Sequence, residues 1–225
     1  MSNKHLKAFV GAFDTYTVVR QVGSGGSGTV FEAKASDAQS VALKVVDKSR
    51  TSQQKLKRFQ NEIQFCLRPS SKHIVRVIDF GRTKDDSLFY VMPYYPGTLR
   101  SLIQSGIERR AALPLYAQLL DAVESAHLLN VFHRDVKPEN FLHDSATNVI
   151  VLADFGIARF EEDELLATVD TGPHERLANF AYAAPEQRVP GKTVDLRADI
   201  YALGLILNEI FTGQIPQGTA FREIK

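Results

Sequence analysis

His133-Arg134-Asp135-Val136-Lys137-Pro138-Glu139-Asn140 gathers a carboxylate, a cation and a side-chain amide into eight residues. Asp135 can take the proton of an attacking hydroxyl, and Lys137 can neutralise charge on a transferred phosphoryl. The amide oxygen of Asn140 can hold a divalent cation beside a phosphate. An H-R-D tripeptide alone says little. With K-P-E-N behind it, and Asp154-Phe155-Gly156 beginning 19 positions after Asp135, it points to phosphoryl transfer.

Upstream of this loop the chain reads mainly as strands. Tyr16–Val22 is rich in β-branched residues, Thr29–Ala35 follows a glycine cluster, and Val41–Val46 is a short apolar run. Leu56, Phe59, Ile63 and Leu67 then recur at the spacing of one helical face within Lys55–Leu67. Val75–Asp79 and Leu88–Met92 read as two further strands, with Arg82–Ser87 as turn material between them. Tyr94-Tyr95-Pro96-Gly97 breaks the pattern as a linker. Beyond it the spacing predicts helices over Leu113–Asn130 and Asp199–Thr212, with Ile150–Leu152 a short strand before Asp154. A β-rich stretch of about 14–95 followed by an α-rich stretch of 96–225 implies an α+β, two-lobed domain, and ligands commonly bind where two lobes meet.

Gly23-x-Gly25-x-x-Gly28 is the first phosphate candidate, because glycine lets backbone N–H groups approach phosphate oxygens without a clashing side chain. A dinucleotide fingerprint should open a helix. Here Thr29-Val30-Phe31-Glu32-Ala33 looks like another strand, so the glycines sit in a hairpin. Lys44, in the apolar strand Val41-Ala42-Leu43-Lys44, would ordinarily send its ammonium to solvent. Glu62 on the following helix offers it a partner instead.

Together these motifs resemble the eukaryotic-type (Hanks-type) serine/threonine protein kinases, the bacterial branch in particular, over about Tyr16 to Gly213. Val136-Lys137-Pro138, and Gln187 after Ala184-Pro185-Glu186, favour that branch. The resemblance implies a bilobal kinase-like fold with a β-rich N-lobe and a mainly α-helical C-lobe. It implies transfer of the γ-phosphoryl of ATP to protein serine or threonine, with Mg²⁺ as cofactor and Mn²⁺ as an alternative. By the same resemblance Asp135 is the catalytic base and Lys137 steadies the phosphoryl. Asn140 and Asp154 hold the metal, and a Lys44–Glu62 ion pair positions the nucleotide. Gly23, Gly25 and Gly28 cover its phosphates. Val22, Val30 and Ala42 lie above the adenine and Leu142 below it, with Met92 at the back of the pocket. The carbonyl of Pro93 and the N–H of Tyr95 face the adenine edge. Asp199 becomes the buried anchor of the catalytic loop, and His133 packs structurally.

There are departures from the family pattern. Gly26-Ser27 stands at the loop tip, where many kinases carry an aromatic. Ala178-Asn179 stands where a Gly-Thr pair braces Asp135 and Lys137, which leaves the acceptor preference open. The segment from Asp154 to Glu186 carries Glu161-Glu162-Asp163-Glu164-Leu165-Leu166, read as a short gating helix, and Thr168 and Thr171 are candidate phosphosites facing Arg134. The resemblance ends soon after the Asp199 helix, so the C-lobe reads as truncated. An apolar face there is expected to meet a partner or a second copy.

Composition excludes other classes. A formal net charge of +1 gives no electrostatic case for nucleic acid. One cysteine, Cys66, rules out an intrachain disulfide and suits a reducing, cytoplasmic setting, where it reads as a packing residue. The N-terminal residues lack the apolar run of a signal peptide, and Asn208 and Glu209 interrupt the longest apolar run, near Ile200–Phe211, so no membrane span is expected. Two alternatives stay open: a non-catalytic, nucleotide-binding pseudokinase module, and a small-molecule phosphotransferase with the same Asp/Asn/Asp logic.

Overall fold

A computed structural model describes residues 7–25, 28–48, 51–69, 71–155, 181–189 and 191–215. Gly26-Ser27, Gly156, the acidic stretch 161–166, Thr168, Thr171 and Ala178-Asn179 lie outside the described residues. The chain divides into two compact units, Met1–Pro69 with Val75–Tyr95, and Ser70–Ile74 with Pro96–Lys225.

Among the described residues, the first unit is an antiparallel sheet of six strands with one helix. In chain order the strands are β1 (Ala8–Val10), β2 (Thr15–Gly25), β3 (Gly28–Lys34), β4 (Ser40–Val46), β5 (Asp79–Arg82) and β6 (Leu88–Pro93), and in space they run β1-β2-β3-β4-β6-β5. Phe9, Tyr16, Ala33, Val41, Leu43, Phe89 and Val91 form one buried cluster on one face of the sheet. The sheet curls enough for the Ala12 N–H to donate to the Phe80 carbonyl at 3.1 Å, bringing its two edges together. Helix α1 (Gln53–Leu67) is capped by Ser52, whose hydroxyl accepts the Lys55 N–H at 3.3 Å, and buries Leu56, Phe59, Ile63 and Cys66. Glu62 lies in the same buried stripe, a carboxylate where an apolar residue would be ordinary.

Two readings of this unit need correction. Strand β5 is Asp79–Arg82, beginning where the expected Val75–Asp79 strand ends. The Val77 N–H is drawn to the Cys66 carbonyl at 2.8 Å, which ties Val77 to α1, and the chain reaches β6 only from the Ile78 N–H, which donates to the Val91 carbonyl at 2.8 Å. β1 was not anticipated; at three residues it is too short to show a period.

The second unit is mainly helical: α2 (Leu99–Ser105), α3 (Arg109–His127) and α4 (Arg197–Thr212), with a small sheet of β7 (Gly97–Thr98), β8 (Phe141–Asp144) and β9 (Val149–Leu152). The presumed linker at Gly97 is therefore a strand that opens a helix. Thr98 and Ser101 form a capping box there, each side chain taking the other's backbone N–H, at 3.2 and 3.0 Å. Helix α3 begins four residues before the expected Leu113, with Pro114 inside it. Proline costs the Arg110 carbonyl one bond, and Arg110 is exposed, so water can serve it. The helix ends at His127 because Asn130 turns left-handed (φ 57°) and redirects the chain. Helix α4 stops at Gly213 in the left-handed conformation (φ 67°). Among the described residues no helix is long and apolar enough to cross a membrane.

Candidate active site

In the first unit the sequence candidates gather on β2, β3, β4, β6 and α1. Gly23 pairs with Val30 and Gly25 with Gly28, so the glycines do form a hairpin between two strands. Gly28 adopts φ 128°, and a Cβ there would lie 2.5 Å from the Val45 carbonyl oxygen, so only glycine fits. The register slips between Gln21 and Gly23, leaving Val22 as an extra residue in its strand, a bulge that re-aims a side chain. Ala42 and Met92 are cross-strand partners, as are Val41 and Pro93. Leu142 belongs to β8 of the second unit, opposite Val151.

Lys44 Nζ lies 3.0 and 3.3 Å from the two oxygens of Glu62, both side chains fully buried. The Tyr90 hydroxyl donates to the same carboxylate at 2.8 Å. Phe59 and Tyr90 stack at 5.2 Å, with the ammonium over both rings. A buried ion pair costs desolvation, which these added contacts offset. Tyr90 was missed by sequence reasoning; its only signal is that it follows Phe89 in a fully buried strand.

In the second unit the catalytic-loop residues converge. Lys137 Nζ donates to Asp135 Oδ2 at 2.6 Å, and Asn140 Nδ2 donates to the Asp135 carbonyl at 2.7 Å and to its carboxylate at 3.2 Å. With its NH₂ so committed, Asn140 offers its amide oxygen to a cation. Asp199, fully buried at the start of α4, accepts the His133 N–H at 2.8 Å, the Arg134 N–H at 2.7 Å and a contact from His127 Nε2 at 2.8 Å. Arg134 is left-handed (φ 63°), and so is Asp154 (φ 67°). Such strain at non-glycine residues persists where the surroundings over-determine it. His133 bridges the loop to the segment before Asp154: its Nδ1 takes the Asp135 N–H at 3.3 Å and its Nε2 meets the Ala153 carbonyl at 3.0 Å. Its ring packs edge-on to the fully buried Phe155 at 4.8 Å.

A residue-by-residue comparison with known sequences fits this geometry. Residues 16–223 match the protein kinase domain. The chain belongs to the protein kinase domain family. It is 33% identical over 213 residues to the serine/threonine-protein kinase pkn3 of Myxococcus xanthus, covering 89% of this chain and 38% of that protein. It is 36% identical over 209 residues to the serine/threonine-protein kinase PknD of Mycobacterium tuberculosis (91% and 30%) and 34% identical over 206 to PrkC of Bacillus subtilis (89% and 31%). The chain thus spans about a third of the length of these curated relatives.

This kinase domain also holds a polar network that sequence reasoning did not find. Arg100 on α2 reaches Glu139 of the catalytic loop at 2.7 Å, Glu209 of α4, and the Tyr182 hydroxyl at 2.6 Å, and Tyr182 in turn donates to Glu209. One cation thus serves two carboxylates. Burial works against the Arg100 charge, but its bonds to Glu139, Glu209 and Tyr182 outweigh that and hold it more firmly protonated than usual. Burial, then Glu209, pushes the Tyr182 phenol above its ordinary value. The legible clue was Glu209 itself, an acid interrupting the longest apolar run.

Proposed function

We propose that this chain carries an ATP-dependent serine/threonine protein kinase activity, moving the γ-phosphoryl of ATP to a protein hydroxyl. The observation that supports it best is the closed set of contacts at Asp135, with Lys137 at 2.6 Å and Asn140 at 3.2 Å on one loop whose backbone Asp199 holds. Asp135 orients the acceptor hydroxyl and takes its proton as the new O–P bond forms and the bond to the departing ADP breaks. Lys137 keeps that carboxylate aimed and lends positive charge to the phosphoryl. Lys44, braced by Glu62, is placed to meet the α- and β-phosphates, and Gly23, Gly25 and Gly28 give them open backbone. Val22, Val30, Ala42, Met92, Pro93, Tyr95 and Leu142 are proposed to enclose the adenine. The two units then act as one domain over 1–225.

Asn140 and Asp154 supply oxygen donors only, a set that suits a hard cation, Mg²⁺ before Mn²⁺. Such an ion, when bound, neutralises charge on the phosphate oxygens. The names of the relatives, all serine/threonine-protein kinases, support the acceptor class. The lone buried Cys66 supports a reducing compartment such as the cytoplasm.

The test is incubation with labelled ATP, Mg²⁺ and a generic protein acceptor, comparing the wild type with Asp135→Asn. Label should appear on serine or threonine with the wild type and fall by about 10²–10⁴-fold in the variant, with ATP binding preserved. Equal label in both proteins, or none in either, would sink the reading.

A further inference from the structure

We propose that Gln187 is a positioning residue for the catalytic loop, its side-chain amide holding the peptide that joins Arg134 to Asp135. The proposal rests on the kinase reading above. Gln187 lies in the short 3₁₀ turn Pro185–Arg188 that follows Ala184. Its Nε2 donates to the Arg134 carbonyl at 2.7 Å, and its Oε1 accepts the Ala184 N–H at 3.0 Å. Both ends of the amide are engaged, so its orientation is fixed: reversed, it would set N–H against N–H and oxygen against oxygen.

What it holds is a strained residue. Arg134, at φ 63°, is anchored from separate places in the chain. Asp199 Oδ1 takes its N–H at 2.7 Å, the Val194 carbonyl takes its guanidinium N–H at 2.6 Å, and Gln187 Nε2 donates to its carbonyl at 2.7 Å. That carbonyl and the Asp135 N–H belong to one planar peptide. Fixing the oxygen therefore fixes the N–H, which points to His133 Nδ1 at 3.3 Å, and with it the direction in which the Asp135 side chain leaves the backbone. Asp199 holds the peptides before His133 and before Arg134. Gln187 fixes the one after Arg134, which is the one that carries Asp135. Asp135, Arg134, Tyr182, Asp199 and Gln187 also line one cavity of about 10 Å³, room for roughly one water. The Gln187 side chain thereby joins the 3₁₀ turn to the catalytic loop, so displacement of the turn would loosen the Asp135 peptide.

Glutamate at 187 can still accept the Ala184 N–H but sets an oxygen against the Arg134 carbonyl, while leucine keeps the volume and loses both bonds. The test uses the full chain as wild type, Gln187→Leu and Gln187→Glu. Transfer kinetics are measured with Mg²⁺ and ATP, and amide hydrogen exchange is followed over residues 131–137 and 41–46. In both variants kcat should fall about tenfold or more while KM for ATP stays within about twofold, because aim and not nucleotide binding is lost. Exchange should quicken over 131–137 and not over 41–46. Relative to wild type at each pH, Gln187→Glu should recover as pH falls and its carboxyl regains a proton to donate, and Gln187→Leu should not. Unchanged kcat, a kcat loss no larger than the loss of folded protein, or no acid recovery by Gln187→Glu would overturn the proposal. If wild type transfers nothing while the exchange difference persists, the kinase reading fails and the clamp stands. If wild type transfers but exchange over 131–137 is unchanged, the clamp alone fails.

Discussion

Asp79 in the sheet-rich unit and Asp199 in the helical unit are both buried carboxylates, 1% and 0% exposed, that gather backbone N–H groups. Asp79 collects the N–H groups of Ala12, Phe13 and Asp14 at 2.9–3.2 Å, that of Phe80 at 2.7 Å and the Tyr16 hydroxyl at 2.8 Å. Asp199 collects two backbone N–H groups and a histidine. What they hold differs. The bend between β1 and β2 that Asp79 holds contains no left-handed non-glycine residue, and the carboxylate ties that bend to β5. Asp199 holds Arg134 in a left-handed state beside Asp135. The same device thus serves closure of a sheet in one unit and, on the kinase activity proposed above, aim of the Asp135 side chain in the other. Its value to function depends on whether the captured backbone is strained and bears chemistry.

The contrast breaks cleanly under mutation. Asp199→Ala should have the largest effect. It strips the His133 and Arg134 amides of their acceptor, costing about 3 kcal/mol of stability, and it frees Arg134, so transfer should fall by about 10²-fold in protein that remains folded. Asp79→Ala leaves more amides unserved and should cost about 3 kcal/mol in urea unfolding, yet kcat and ATP binding of the folded fraction should stay within about twofold of wild type. A kcat loss in Asp79→Ala as large as that in Asp199→Ala would erase the distinction.

The two sites were not equally legible. Asp199 stands in Asp199-Ile200-Tyr201-Ala202-Leu203-Gly204, a pattern that names its role, and the catalytic loop, Lys44 and Glu62 were found by pattern too. Asp79 looked like the last residue of a strand, because its partners other than Phe80 lie 63–67 positions away and no spacing rule reaches that far. Gly11 was equally silent, although a Cβ there would lie 2.7 Å from the Asp79 Cγ, so the carboxylate fits only against glycine. Strands β2, β3, β4, β6 and β9 were read to within a few residues because they are β-branched or apolar runs. The short β1, β7 and β8 were missed, and β5 was shifted. Gln187 was visible only as a mark of the bacterial branch, since its two bonds depend on how the turn and the loop meet.

Tyr16→Phe probes the weaker half of the comparison. It removes one donor from Asp79 and leaves the four backbone N–H groups, so the loss should be small, about 1 kcal/mol, without change in transfer. Its pH dependence identifies the contact. Burial, then the hydrogen bond and charge of Asp79, raise the Tyr16 phenol above its ordinary value. A group with a raised folded pKa contributes stability that is complete below its unfolded pKa and is lost as pH rises toward the folded one. The unfolded phenol ionises near pH ~10, so above that pH the unfolded chain sheds a proton that the native state keeps. Wild type should therefore lose its advantage over Tyr16→Phe as pH rises past about 10 and hold it unchanged from about pH 6 to 9. Paired urea melts across that range measure the gap directly, with the other tyrosines common to both proteins. A gap that stays constant through alkaline pH would mean that the phenol ionises as freely in the native state as in the unfolded one, and that Asp79 is held by the backbone alone.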